Sequence, residues 1–102
     1  MKLNFDVTAK EFEILQTILK QHLPAEALVW VFGSRAKYKT KFNSDIDLAV
    51  ESSTKLPVQT VILLKEAFDE SLLPYKVDLV DLNDIEPNFK EIIASHKVTF
   101  PV

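Results

Sequence analysis

The sequence is short of several residue types that define whole classes of protein: it has no cysteine and a single glycine in 102 residues. Without cysteine there is no disulfide framework, no thiolate zinc site and no cysteine nucleophile. The longest apolar run, residues 27–32, is far shorter than the roughly 20 residues of a membrane span, and the N-terminus lacks the apolar region of a signal peptide. A net charge of −3 argues against broad, non-specific binding of nucleic acid, although one local basic site remains compatible with it. We therefore expect a cytoplasmic protein.

The composition that remains is that of a globular domain. Hydrophobic residues make up 47% of the chain and charged residues 26%, both ordinary values. A chain of 102 residues fits one domain, and we predict a single domain over residues 1–102.

Hydrophobic periodicity predicts three helices. The first covers roughly Thr8 to His22, because Thr8 and Glu11 form a capping-box pattern and Pro24 ends the helix. The second begins with Pro57 as its first residue and stops before Pro74. The predicted apolar face of the second helix consists of Val61, Leu64, Phe68 and Leu72. A third helix is predicted over residues 87–95, and its apolar face consists of Phe89, Ile92, Ile93 and His96.

Three apolar or alternating segments between these helices, residues 27–32, 45–50 and 76–82, predict strands. The order of elements is therefore helix, strand, loop, strand, helix, strand, helix. This order predicts a small α/β (α+β) domain in which helices pack against a mixed sheet of three to four strands.

Gly33, the only glycine, directly follows the first predicted strand. Glycine permits a positive φ and the close approach of a ligand to the backbone, so this position has either a ligand-binding or a plain turn role. Backbone N–H groups in such a turn form a site for anions, and the hydroxyl of Ser34 adds a donor.

Asp45 and Asp47 are spaced so that both side chains point to the same face of the second strand. Two carboxylates held side by side repel each other, and a divalent cation relieves this repulsion. Ligation by oxygen alone suits Mg²⁺ or Mn²⁺. If the first two strands are neighbours, a phosphate site and a metal site lie at the same edge of the sheet.

The loop between these two segments is basic in an otherwise acidic chain. Its cations could neutralise phosphate or meet an acidic partner, or they could simply be solvated, and Tyr38 could touch a base or lie exposed. The four cations are Arg35, Lys37, Lys39 and Lys41.

Gly33-Ser34, followed after ten residues by Asp45-x-Asp47, resembles the signature of the DNA polymerase β-like nucleotidyltransferase superfamily. The fuller segments Phe-Gly-Ser-Arg-Ala and Ser-Asp-Ile-Asp-Leu resemble those of the minimal nucleotidyltransferase (MNT) family, over nearly the whole chain. This family has a third carboxylate on a later strand. Asp78 matches that place, and Asp81, on the opposite face, is the competitor that periodicity alone does not eliminate.

The resemblance implies a mechanism with two Mg²⁺ ions and ATP as the nucleotide donor. Asp45 and Asp47 would bind both ions, and Asp78 would bind the ion nearest the attacking oxygen and help to deprotonate the hydroxyl. Four residues are expected to bind the nucleotide, and one of them, Ser44, would also orient the neighbouring carboxylate or the loop: Gly33, Ser34, Arg35 and Ser44.

The resemblance also implies a partner, because MNT proteins pair with a small all-helical HEPN toxin, and some members adenylylate a tyrosine of it. We therefore expect an antitoxin enzyme in a hetero-oligomer. The alternatives are an antitoxin that acts by complex formation alone, a nucleotidyltransferase with another acceptor, and a Mg²⁺-dependent receiver domain. His22 and His96, each near a predicted helix C-terminus, are not expected to bind metal.

Overall fold

The structure is a computed structural model, which describes residues 4–37 and 44–102. It contains three α-helices and a four-stranded mixed sheet, which confirms the predicted fold class. In chain order the elements are α1 (Ala9–His22), β1 (Leu28–Phe32), β2 (Ile46–Glu51), α2 (Val58–Asp69), β3 (Val77–Asp81), a 3₁₀ turn (Leu82–Asp84), α3 (Pro87–Ala94) and β4 (Val98–Phe100).

The strand order in the sheet is β3-β2-β1-β4. β1 is antiparallel to both β2 and β4, whereas β2 is parallel to β3. Phe32, at the end of β1, is therefore opposite Asp47, and Ile46 is opposite Val77. The end of β1 and the beginnings of β2 and β3 thus meet at one end of the sheet.

Helices α1 and α2 cover one face of the sheet. Alternate residues of β2, Ile46 and Leu48, are fully buried there against Leu15 of α1 and Leu64 of α2. Each such side chain stabilises the fold by roughly 1.5–3 kcal/mol when buried. This core holds the central strand in place, so the positions of its polar residues are also fixed.

The opposite face has a smaller core, made of Phe32, Ala49, Leu82 and Ile93. It is covered by the eight residues of α3 and by the 3₁₀ turn. Asp47 alternates with Ile46 and Leu48, so its side chain points to this second face, where it is half-buried.

The N-terminus of α1 matches the prediction in detail. The Thr8 hydroxyl accepts a hydrogen bond from the Glu11 amide at 3.1 Å, and the Glu11 carboxylate accepts one from the Thr8 amide at 3.1 Å. The capping box is confirmed. Pro57, in contrast, is the N-cap of α2 rather than its first helical residue.

The predicted apolar faces of α2 and α3 include residues that are exposed in the structure. α2 ends at Asp69, where the Ser71 hydroxyl donates to the Phe68 carbonyl at 2.6 Å, and Leu72 is 85% exposed. The prediction for Leu72 was wrong because this hydrogen bond closes the helix end before that residue.

On α3 only Ile93 of the predicted stripe is fully buried, whereas Phe89 and Ile92 are exposed. The helix has barely two turns, so only one of its residues reaches the centre of the small core. No separate strand was predicted where β4 lies, because three residues are too few for a pattern of alternation.

Across the two described ranges, no helix is long and apolar enough to cross a membrane.

Candidate active site

Gly33 forms the turn that follows β1, with a φ of 74°. A Cβ atom at this position would overlap Asp47 Oδ2 and would lie 3.2 Å from Asp47 Cγ. Both the left-handed conformation and the close approach of the Asp47 carboxylate therefore require glycine. The turn and the second strand meet as the sequence predicts.

Asp47 and Asp78 are direct neighbours on the parallel strands β2 and β3. Their side chains lie on the same face of the sheet, close enough for the negative charge of Asp78 to act on the carboxyl group of Asp47. Burial, followed by the negative charges of Asp78 and Asp45, raises the pKa of Asp47 from 3.8 to about 6. This pair lies beside Gly33, at the end of the sheet where the three strand ends meet.

Asp45 is exposed and directly precedes β2, which begins at Ile46, one residue later than predicted. Its charge contributes to the raised pKa of Asp47, so the two carboxylates are near each other. The other two aspartates of the predicted site, Asp45 and Asp78, thus both act on the carboxyl group of Asp47.

Asp81 has a different environment. It is opposite Val50, is 9% exposed, and accepts hydrogen bonds from the Leu56 amide at 2.7 Å and the Asn83 amide at 2.9 Å. These contacts tie the loop before α2 to the end of β3. Of the two candidates for the third carboxylate, the structure brings Asp78 to Asp47, and Asp81 has a role in the fold.

Arg35 is only 5% exposed, unlike a cation in a solvated loop. Its guanidinium donates from Nε and Nη2 to the Ser44 carbonyl, at 3.1 and 2.6 Å, and from Nη1 to the Asp6 carbonyl at 2.7 Å. It also lies over the Tyr75 ring, 3.9 Å from the centroid. These contacts connect the Gly33 turn to the residue before Asp45.

Ser34 is half-buried, and its carbonyl accepts from the Lys37 amide at 3.2 Å. Within residues 4–37 and 44–102 its own amide and hydroxyl have no hydrogen-bond partner, so both are available to a ligand. The predicted loop residues Tyr38, Lys39 and Lys41 lie outside the described residues.

His96 is the residue of this site that the sequence did not reveal. Its Nε2 accepts a hydrogen bond from the Gly33 amide at 3.0 Å, across 63 positions of sequence. A histidine after a short amphipathic helix carries no signal for such a contact. Only the pairing of β4 with β1 brings this segment next to the turn.

The carboxylates suit a hard divalent cation. Asp47 is half-buried among like charges, and a cation would remove the repulsion that raises its pKa. Over the described ranges, no three acidic or imidazole groups are already gathered at the spacing of a bound metal. Asp47 and Asp78 form the assembled part, and exposed Asp45 would complete it by a side-chain movement.

A mixed sheet that presents paired carboxylates beside a glycine turn is the arrangement expected of an enzyme that transfers nucleotides. The family model described as Polymerase beta, Nucleotidyltransferase matches residues 13–100, so the chain belongs to this family. The match includes every residue of the candidate site.

The chain is also similar to a curated relative from Haemophilus influenzae, named Probable protein adenylyltransferase MntA. The two are 47% identical over 88 residues, which cover 86% of this chain and 76% of the relative.

Two solved structures share the fold. One is a toxin–antitoxin crystal structure with AMP-PNP, which has a TM-score of 0.75 at 24% identity over 88% of this chain and 72% of that one. The other is the toxin–antitoxin MntA–HepT, with a TM-score of 0.63 at 22% identity over 92% and 72%.

Proposed function

We propose that this chain is an antitoxin that transfers AMP from ATP to a hydroxyl group of a helical toxin of the HEPN type. The observation that carries the proposal is the Asp47–Asp78 pair beside the Gly33 turn, since paired carboxylates hold a divalent cation and the backbone of a glycine turn binds phosphate. The name of the Haemophilus influenzae relative supports the reaction, and the MntA–HepT structure supports the partner.

In this proposal Asp45, Asp47 and Asp78 hold Mg²⁺, with two ions expected and Mn²⁺ as a substitute. When bound, the metal neutralises phosphate charge and supports the departure of pyrophosphate. The acceptor oxygen forms a bond to the α-phosphorus while the bond from that phosphorus to the bridging oxygen breaks. Asp78 receives the proton of the acceptor hydroxyl, and pyrophosphate leaves.

The remaining residues bind and orient the nucleotide. Ser34, with an amide and a hydroxyl available, holds the outer phosphates at the Gly33 turn. Arg35 and Ser44 support the site without contacting phosphate. The guanidinium of Arg35 donates its hydrogen bonds to the Ser44 and Asp6 carbonyls, so it holds the loop in position. Transfer of this kind depends mainly on such positioning.

The proposal is tested with ATP labelled at the α-phosphate, Mg²⁺ and the purified helical toxin. We expect label on the toxin with the wild type, and a loss of at least about a hundredfold with Asp45→Ala or Asp78→Asn, because charge stabilisation carries most of the rate. Asp69→Asn, which changes an exposed aspartate of α2, is the matched control and should transfer label normally. Equal labelling by the wild type and Asp45→Ala would refute the site assignment.

The same experiment separates catalysis from neutralisation by binding. If the complex forms and the toxin is inhibited, but no acceptor is ever labelled, the chain is a non-catalytic antitoxin. If label appears only on another hydroxyl compound, the reaction stands and the toxin is not the acceptor.

A further inference from the structure

The Gly33 amide, which in a glycine turn would be the obvious donor to phosphate, already has an acceptor within the protein. It donates to Nε2 of His96 at 3.0 Å, in a partly buried position. The peptide N–H of Gly33 is therefore hydrogen-bonded to the segment between α3 and β4.

His96 is itself fixed in place. Its backbone amide donates to the Ile93 carbonyl at 3.2 Å, and its ring meets the buried Phe32 ring edge to face, with centroids 6.5 Å apart. β4 begins two residues later, and Val98 pairs with Val31 of β1. His96 thus immediately precedes the strand that pairs with β1, and its imidazole contacts the turn that follows β1.

The hydrogen bonds of His96 define its tautomer. The Ser95 hydroxyl lies 3.3 Å from His96 Nδ1 and donates its own proton to the Ile92 carbonyl at 2.6 Å. Because that proton is already used, Nδ1 is the donor to Ser95 Oγ, and Nε2 is the unprotonated nitrogen. This is the tautomer that can accept from Gly33.

We propose that His96 is a positioning residue for the triphosphate: by accepting the Gly33 hydrogen bond it holds the left-handed turn against Asp47 and leaves the donors of Ser34 to the nucleotide. This inference rests on the nucleotidyl transfer proposed above. It assigns His96 no contact with substrate or metal, and its effect passes entirely through the backbone of the turn.

The single glycine makes a direct test possible. Protein labelled only with ¹⁵N-glycine gives one backbone amide signal, that of Gly33. We expect its proton to resonate downfield and to exchange slowly with solvent, as hydrogen-bonded amides do. Combined ¹⁵N labelling of histidine should give a coupling across the hydrogen bond between Gly33 N and His96 Nε2.

Two amide variants of different length test whether the side chain must reach the Gly33 amide or need only be polar. In His96→Gln the side-chain oxygen lies about where Nε2 lies and can accept from Gly33, whereas in His96→Asn it is one methylene too short. We expect the Gln variant to keep the Gly33 signal nearly unchanged and the Asn variant to move it upfield with faster exchange. His22→Asn, at the other histidine of the chain, is the control and should leave the signal in place.

Kinetics then separate positioning from a role in stability alone. His96→Asn should raise the KM for MgATP roughly threefold to tenfold, the equivalent of one net hydrogen bond, with kcat within about twofold of the wild type. His96→Gln should restore KM. A purely structural role would lower the concentration of folded enzyme and leave KM unchanged.

The inference is overturned if no coupling is found and the Gly33 signal ignores His96→Asn, or if both variants bind MgATP as tightly as the wild type by calorimetry. Failure of the proposed function has a different signature: the wild type itself would not bind MgATP, or would bind it without transferring label.

Discussion

At the scale of single residues, Asp47 is the centre of the site. The backbone of Gly33, the carboxyl group of Asp78 and the charge of Asp45 all act on it. A half-buried carboxylate among like charges destabilises a folded protein unless something neutralises it. The arrangement therefore makes physical sense when a cation is bound.

A first prediction concerns the stability of the metal-free protein. Asp47→Asn should raise the unfolding free energy at pH 8 by about 1 kcal/mol, a value reduced for the solvent screening of a half-exposed side chain. The amide keeps the shape of the side chain and removes one of the repelling charges. Urea denaturation with EDTA measures the change, and nucleotide transfer should be lost in the same variant.

The pH dependence gives this prediction its sign. The pKa of Asp47 is about 6 in the folded protein and 3.8 ordinarily, so the folded state holds the extra proton between these values. The contribution of Asp47 to stability therefore falls as the pH rises from about 4 to about 6. The advantage of Asp47→Asn should vanish near pH 4, and an advantage that is constant with pH would contradict the assignment.

A second prediction separates the two reasons for glycine at position 33. Gly33→Ala should cost about 1–2 kcal/mol of stability, because its φ of 74° is unfavourable for other residues. The added Cβ should also displace the Asp47 carboxylate and reduce transfer more than tenfold, since a small displacement of a catalytic group costs that much.

Gly33→Asn provides the comparison, since asparagine tolerates the left-handed conformation but carries the same Cβ. It should recover part of the stability and none of the activity. Recovery of activity in Gly33→Asn would mean that the contact with Asp47 is irrelevant to catalysis.

At the scale of elements, the buried guanidinium of Arg35 joins segments that the sheet alone does not hold together. It binds the carbonyls of Asp6, before α1, and of Ser44, before β2, and its plane lies over Tyr75, before β3. Tyr75 continues the connection to α1 by donating to the Glu11 carboxylate at 3.0 Å. Burial, and then the Glu11 charge, raise the pKa of the Tyr75 phenol, so it remains a donor.

A third prediction follows for this connection. Arg35→Met should lower the unfolding free energy by about 2–4 kcal/mol, because it removes the three hydrogen bonds that the buried guanidinium donates to the Ser44 and Asp6 carbonyls. Thermal denaturation measures the loss. The neighbouring exposed cation provides the control: Lys37→Met should change stability by less than about 0.5 kcal/mol. Equal effects of the two substitutions would contradict the assigned contacts.

How much of the structure was predictable depends on the range of the interactions. Local signals were reliable: the capping box at Thr8 is present, and the periodicity of β2 separates Ile46 and Leu48 from Asp47. The prediction of Asp78 rather than Asp81 came from the family resemblance, and the position of Asp78 beside Asp47 depends on the register of β2 against β3, which periodicity does not contain.

The sequence was least informative about long-range polar contacts. Arg35 was expected at the nucleotide because it lies in a basic loop, and no local pattern indicates that its donors meet carbonyls 9 and 29 positions away. The same holds for His96 and Gly33. Such partners follow only from the complete topology.

At the scale of the whole molecule, a fourth prediction concerns stabilisation by MgATP. A ligand that binds only the folded state raises the melting temperature, and it must displace the Asp47 proton to bind. The increase should be largest above pH 7 and should fall below about pH 6, where that carboxyl group is protonated. Thermal scans from pH 5 to pH 8 measure it, with Asp45→Ala as a variant expected to lose most of the increase.

The position of β2 between an antiparallel and a parallel neighbour has a consequence for how the protein becomes functional during its synthesis. The antiparallel hairpin of β1 and β2 can form early, but β3 reaches its place only after α2 has crossed over the sheet, and β4 arrives last. Asp78 and His96 therefore join the Gly33 turn only after β3 and β4, respectively, have left the ribosome. A nascent or truncated chain would have the signature residues in its sequence and still be unable to bind a triphosphate.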